Sequence, residues 1–309
     1  MSLQILAPGL QATIQAAPRL GHRRLAVPPG GPADPLALQF ANRLVGNNLL
    51  EPAIEVTLGG FSAVFTEPTF FAVTGAEHEC TLNDRTLPLG ITTKARAGDV
   101  VRIEGGPGGM RTYLSVVGGF QAEEAFGSRS TYLPSGFGGF AGRALAADDI
   151  VPYTSHESDI PIETVPTDLF LRYHRHAILR VVRSVEYDRI RTPSELFSHT
   201  FRAARQIDRI GIRLQGHTPQ LAPSKSPLKS GAVSPGIIQC PEGGQPIILG
   251  PDAGTTGGYP RILAVTAVDL HRLGQIRPGD EIQLIERTVD EAIDDLRQRQ
   301  AHLATWLDR

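Results

Sequence analysis

Short stretches in which apolar and polar residues alternate dominate this chain. Residues 11–15 alternate. Runs at 53–57, 62–65, 69–73, 100–103, 111–117 and 178–182 are apolar-rich, of strand length, and mostly bounded by Gly or Pro. Such runs predict β-strands. Leu82-Asn83-Asp84-Arg85 predicts a hairpin turn between two of them. Helical spacing appears in three places. Asp34 suits an N-cap and Pro35 the first helical position; Leu38, Ala41, Leu44 and Val45 then share one face until Gly46-Asn47 closes the run. Residues 193–201 predict a short helix. Thr288 and Glu291 form a capping box, and Ile293, Leu296, Leu303 and Leu307 make the apolar stripe of a C-terminal helix. A turn-plus-strand unit recurs. Residues 96–103 (RAGDVVRI) resemble 277–284 (RPGDEIQL), and 147–151 (ADDIV) is a weaker third copy.

Composition sharpens this into a mainly β protein with a few helices. A chain of 309 residues is long for one core, so two domains are expected. The polar, Pro-containing stretch 156–168 is read as a linker between an N-terminal β-rich domain, 1–155, and a second domain, 169–309, that carries the C-terminal helix. A hydrophobic fraction of 41% with no bilayer-length apolar run describes a globular chain without membrane segments. A formal net charge of -2 and no basic face argue against nucleic-acid binding. The first residues, MSLQILAPGLQATIQ, hold no basic segment leading into an apolar one. Only Cys80 and Cys240 are present, which is no disulfide framework. A cytoplasmic location is expected.

Candidate chemistry concentrates in Thr255-Thr256-Gly257-Gly258-Tyr259-Pro260, followed by Arg261. Glycines let backbone N–H groups approach a ligand and form an anion-binding nest. Thr255, Thr256 and Tyr259 add hydroxyls, and Arg261 adds a fixed charge. The same composition also makes an ordinary solvated turn. Asp34, Asp208 and Asp252 are the carboxylates placed in glycine- or arginine-flanked loops, and with Tyr259 they are the acid–base candidates. Asp34 also fits a simple N-cap, Asp208-Arg209 a surface ion pair, and Asp252 an Asx turn. Arg129 and Arg143 lie in the glycine-rich stretch 118–142 and its end. They, with Arg209, are candidates to hold a carboxylate bidentately. The sequence holds no GxSxG, GxxxxGK[ST] or HExxH, and its histidines are scattered, so no metal site is expected.

Five segments, in one order, resemble the biotin-dependent carboxyltransferase family: GGPADPLALQFANRLVGN (30–47), YLSVVGGF (113–120), GSRST with GFGGFAGR (127–143), DRIGIRLQG (208–216) and GQPIILGPDAGTTGGYPRI (244–262). The family includes the C-subunit of 5-oxoprolinase, the antagonist member of a sporulation-kinase inhibitor pair, and the carboxyltransferase region of urea carboxylase. Length and motif order are most similar to the 5-oxoprolinase C-subunits. The resemblance implies two cyclophilin-like β-barrel domains and a B-subunit-like partner of the same build, with a LamB/YcsF-like third component in the oxoprolinase case. It implies ATP-dependent opening of 5-oxoproline to L-glutamate by the assembly, with ATP used by the complex and nothing bound covalently here. Carboxyl transfer from carboxybiotin carried on another protein to an amide or urea-like substrate is the alternative, and a non-catalytic partner-binding role is another. The chain departs from the family pattern at Ala16-Ala17-Pro18-Arg19, where a QDGGR-like run is usual. Ile212 stands where a tyrosine is usual, and Lys229-Ser230-Gly231 replaces a Ser-Glu- or Ser-His-Gly-like run.

Overall fold

The computed structural model describes residues 1–154, 159–223 and 228–308. Two compact units emerge: residues 1–19, 30–173 and 305–309 form the first, and 20–29 with 174–304 the second. The stretch expected as a linker lies outside the described residues at 156–158. From Asp159 onward it groups with the first unit. There Thr92 N–H donates to the Glu163 carbonyl at 2.9 Å, Ile91 bridges Thr164, and Val165 is buried. Its polar composition hid this one inward-facing valine. Residues 20–29, expected in the first domain, group with the second unit, where the Arg23 guanidinium donates to the Val233 carbonyl.

The first unit packs two sheets around one core. One sheet runs Ile150–Pro152, Ser2–Pro8, Phe61–Phe65, Val100–Ile103, Cys80–Leu82, Arg85–Thr86; the other runs Gln11–Gln15, Ala53–Thr57, Gly108–Val116, Thr69–Glu77, Thr93–Ala95. Leu3, Ile5, Phe61, Phe65 and Ile103 from one meet Ile14, Val56, Phe71, Val73 and Leu114 from the other. The hairpin at Leu82–Arg85 turns through Asn83 and Asp84, both left-handed at φ 50 and 63, which such a two-residue loop requires. The helix Pro35–Leu44 starts as its sequence dictates. Asp34 Oδ1 accepts the Ala37 amide at 3.0 Å, and Ala37, Leu38 and Ala41 pack on Ala53 and Tyr113.

The second unit is a closed barrel in the order His176–Arg183, Arg261–Val265, Ile237–Gln239, Ile247–Leu249, Gly211–Gln215, Phe201–Ile207, Glu281–Glu286. The last strand closes it in parallel with the first. The expected helix at 193–201 is only Glu195–Ser198, because Phe201 belongs to a barrel strand. The three turn-plus-strand copies share one geometry. In each, an Asp carboxylate accepts the amide three residues before it: Asp99 from Arg96, Asp149 from Ala146, Asp280 from Arg277, at 2.7–2.8 Å. The residue before the Asp is left-handed in all three: Gly98, Asp148 and Gly279.

The C-terminal helix Val289–Leu307 begins with the expected reciprocal cap, Thr288 N–H to Glu291 Oε2 at 2.8 Å and Glu291 N–H to Thr288 Oγ1 at 3.2 Å. Near its end Trp306 meets Phe40 edge-on with ring centroids 5.4 Å apart. No helix among the described residues is long and apolar enough to cross a membrane.

His271 gives the second unit an acid sensitivity. It is buried in the 3-10 segment Ala267–Gln275, and burial, then the charges of Arg299 and Arg272, push its pKa down to about 3. An unfolded histidine titrates near pH 6.5, so between the two values the unfolded chain binds the extra proton. Stability is therefore full above about pH 6.5 and is lost as the pH falls towards about 3. Urea unfolding is expected to lose on the order of 2–3 kcal/mol between pH 6.5 and 4.5, at 1.36 kcal/mol per pH unit. His271→Gln should flatten that slope, and an unchanged slope would contradict this assignment.

Candidate functional site

The Thr255–Arg261 run lies at one rim of the barrel, after strand Ile247–Leu249. The chain turns there through Gly250, Pro251 and Asp252. Gly250 is required, because a Cβ would sit 2.3 Å from the Arg209 carbonyl oxygen. Its amide donates to the Ile210 carbonyl at 2.8 Å, and Asp252 N–H to the Arg209 carbonyl at 3.0 Å. The side chains repeat the link: Arg209 Nε reaches Asp252 Oδ2 at 2.7 Å and Nη2 reaches Oδ1 at 3.0 Å. Both residues are buried, so this is an internal fork-to-carboxylate pair and no surface ion pair. Both Asp252 oxygens face Arg209. Asp208 is exposed, and its Oδ1 accepts the Ile210 and Gly211 amides at 2.8 and 3.0 Å, a local Asx turn.

Beyond Asp252 the run forms a small ribbon. Thr256–Gly257 pairs with Gly231–Ala232, and Val233 N–H donates to the Thr255 carbonyl at 3.0 Å. Thr255 is buried, Thr256 and Gly258 are exposed, and Tyr259 keeps 51% of its surface in solvent. Arg261 turns inward. Its backbone N–H and Nε reach Glu186 Oε2 at 2.8 and 2.9 Å, Nη2 reaches Oε1 at 2.6 Å, and Nη1 reaches the Ala232 carbonyl at 3.0 Å. These bonds from Arg261 hold the Glu186 carboxyl below its ordinary pKa. The guanidinium thus braces the ribbon. The groups that this corner presents to solvent include Thr256, Gly258 and the Tyr259 side chain.

Asp34, Arg129 and Arg143 fall in the first unit, on separate segments. Arg143 grips Asp149 of its own loop with two bonds of 2.7 Å and lies over the Phe140 ring. That pair keeps the Asp149 pKa low. Arg129 is half exposed, 3.9 Å from Glu51. Asp34 is wholly buried; besides capping its helix it accepts the Tyr173 hydroxyl on Oδ2. It belongs to a network that sequence patterning missed. The Tyr113 hydroxyl donates to Glu55 Oε2 at 2.7 Å and accepts the Asp34 amide at 2.8 Å. Ala33 N–H reaches the same Glu55 oxygen at 2.9 Å, and Arg111 Nε lies 3.4 Å from Glu55 Oε1. Burial first, then the Glu55 and Asp34 charges, push the Tyr113 pKa well above the ordinary tyrosine value, so it stays a donor. The one available signal was a charge inside each of two strand runs, Glu55 and Arg111. Arg19, in the departing N-terminal segment, is also buried. It donates to the Ala125 and Ser130 carbonyls and lies over Phe137, which anchors the glycine-rich stretch. Among the described residues no group of three or more His, Cys, Asp or Glu side chains is arranged to hold a metal ion.

The carboxyltransferase domain family, subdomains A and B, matches residues 25–286. The chain belongs to this family. The 5-oxoprolinase C-subunit of Escherichia coli is 35% identical over 291 residues, 94% of this chain and 93% of that one. The Haemophilus influenzae protein of the same name is 36% identical over 308 residues, 97% and 96% of the two chains. The crystal structure of Kluyveromyces lactis urea carboxylase matches with a TM-score of 0.91 at 29% identity, covering 97% of this chain and 28% of that one. A further relative, urea amidolyase of Saccharomyces cerevisiae, is 31% identical over 92% of this chain but only 16% of its own length. The relatives are thus enzymes or components of enzymes, and this chain is mainly β with a closed barrel and a C-terminal helix.

Proposed function

We propose that this chain is the C-subunit-like component of a 5-oxoprolinase-type enzyme. The assembly opens the cyclic amide of 5-oxoproline to L-glutamate, with ATP hydrolysed by the complex. The reading rests on one observation: the chain and its 5-oxoprolinase relatives match over more than nine-tenths of both lengths, so the likeness is not confined to one domain. A B-subunit-like carboxyltransferase-family protein is the required partner, and a LamB/YcsF-like protein is a third component. The complex acts in the cytoplasm, where the buried Cys80 and Cys240 stay reduced.

The chemistry of the Thr255–Tyr259 ribbon suits this role. 5-Oxoproline carries a carboxylate, and attack on its ring amide develops negative charge on the carbonyl oxygen. Backbone N–H groups of a glycine loop meet either charge without the reorganisation that solvent water needs. Arg209 and Asp252 hold the loop's base, Glu186 and Arg261 hold its far end, and Thr256 and Tyr259 supply exposed hydroxyls. A second reading, carboxyl transfer from carboxybiotin on another protein to a urea-like nitrogen, is supported by the likeness to urea carboxylase.

Gly258→Val tests the loop. A Cβ at Gly258 would meet only Ser230 Oγ at 3.5 Å, so the fold accepts a side chain. A bulky group at that exposed place blocks approach of a ligand to the backbone. In the assembled enzyme 5-oxoproline turnover is expected to fall about a hundredfold, while the melting temperature changes by the small amount typical of a surface substitution. Normal turnover would sink the loop assignment, and a large drop in melting temperature would make it a structural turn.

A further inference from the structure

The ribbon carries two glycines directly opposite each other, Gly231 and Gly257. Opposed residues of an antiparallel pair point to the same face. Beneath them, Gln239 and Arg261 are also directly paired, on adjacent barrel strands. The two pairs fit together. A Cβ at Gly257 would fall 2.4 Å from Gln239 Nε2, and one at Gly231 would fall 2.7 Å from Arg261 Nη1. Two planar groups, an amide and a guanidinium, therefore fill the space that two side chains would need. Each is also tied to the ribbon: Gln239 Nε2 donates to the Tyr259 carbonyl at 3.3 Å, and Arg261 Nη1 to the Ala232 carbonyl. Gln239 is 6% exposed, and the carboxylate of Glu186 fixes the Arg261 plane.

We propose that Gln239 is a positioning residue for the Thr255–Tyr259 loop: its amide plane, beside the Arg261 guanidinium, sets the height and tilt at which the loop presents its backbone N–H groups. The proposal rests on the reading of that loop as the substrate-binding element. Arg261 has a second partner in Glu186, so Gln239 is the side chain whose loss acts on the loop alone. The Gly-Gly pairing is its counterpart, because any larger residue at 257 must push the amide off the Tyr259 carbonyl.

Hydrogen exchange by mass spectrometry on Gln239→Ala, together with steady-state kinetics of the assembled enzyme on 5-oxoproline, tests this. Amides of 231–233 and 255–259 should exchange faster while those of 247–249 are unchanged. The KM for 5-oxoproline should rise about tenfold or more, with a smaller change in kcat, since a displaced contact of about an ångström has effects of that order. Gly257→Ala should behave alike. The double variant Gly257→Ala/Gln239→Ala should be no worse than Gln239→Ala, because the truncated side chain leaves room for the methyl group. Unchanged exchange in Gln239→Ala, strictly additive effects in the double variant, or faster exchange with an unchanged KM would each overturn the proposal. Normal turnover in Gly258→Val would instead remove the reading of the loop itself, which keeps the two failures apart.

Discussion

Arg209→Leu is expected to destabilise the second unit by about 3–5 kcal/mol, the cost of leaving a buried carboxylate without its partner. Asp252 is 3% exposed and directs both oxygens at the Arg209 guanidinium, so no water replaces the lost donors without opening the turn. The backbone couples the damage to the ribbon, since residues 209–210 also hold Gly250 and Asp252 by main-chain bonds. Urea unfolding followed by far-UV circular dichroism reads the loss. The double variant Arg209→Leu/Asp252→Leu should recover much of the stability, because an apolar pair replaces a charged one without an orphaned ion. Turnover should not return with it. A single variant as stable as the parent chain would show that the pair does not lock this corner.

A loss of similar size, about 3–5 kcal/mol, is expected for Glu55→Leu in the first unit, where Arg111 would lose its buried counter-charge. The same change strips a partner from the Ala33 amide and the Tyr113 hydroxyl. Tyr113→Phe should cost less, about 1–3 kcal/mol, the range for one unsatisfied buried polar group. The network ties the first turn of the helix Pro35–Leu44 to the sheet strands Ala53–Thr57 and Gly108–Val116. Phe40 of that helix packs on Trp306, the single tryptophan. Tryptophan fluorescence during urea unfolding therefore reports on this network. Equal midpoints for Glu55→Leu and the parent chain would refute the assignment.

Local chemistry was legible where the residues act on their own neighbours. The Asp34 cap, the Asn83-Asp84 turn, the Thr288/Glu291 box and the three Gly-Asp or Asp-Asp turns all depend on bonds within a few residues, and spacing exposes them. Short apolar runs and composition carried the mainly β fold, and the resemblance of five ordered motifs carried the family. What spacing could not expose were partnerships made across the fold. Arg209 with Asp252 spans 43 positions and Arg261 with Glu186 spans 75, so each charge looked available to a ligand until its partner was in view. Arg143 misled differently. Its partner Asp149 is six residues away, but a glycine-rich setting suggested an anion site where the chain needed a brace. Glu55 and Arg111 went unnoticed because a single charge in a strand run does not disturb the hydrophobic pattern, and Gln239 because its strand, Ile237–Gln239, is too short to show one.

An obligate component of an enzyme that opens 5-oxoproline must be necessary for that reaction and insufficient for it. Glutamate release from 5-oxoproline with ATP measures both properties at once. Three samples are compared: the purified chain alone, the proposed B-subunit-like and LamB/YcsF-like partners without it, and the full set. The chain holds no phosphate-loop motif and no biotin-attachment run, so it should be inactive by itself. ATP-dependent glutamate release is expected from the full set alone. Equal release from the partners without this chain, or no release from the full set under conditions where carboxybiotin and urea give carboxyl transfer, would contradict the proposed role.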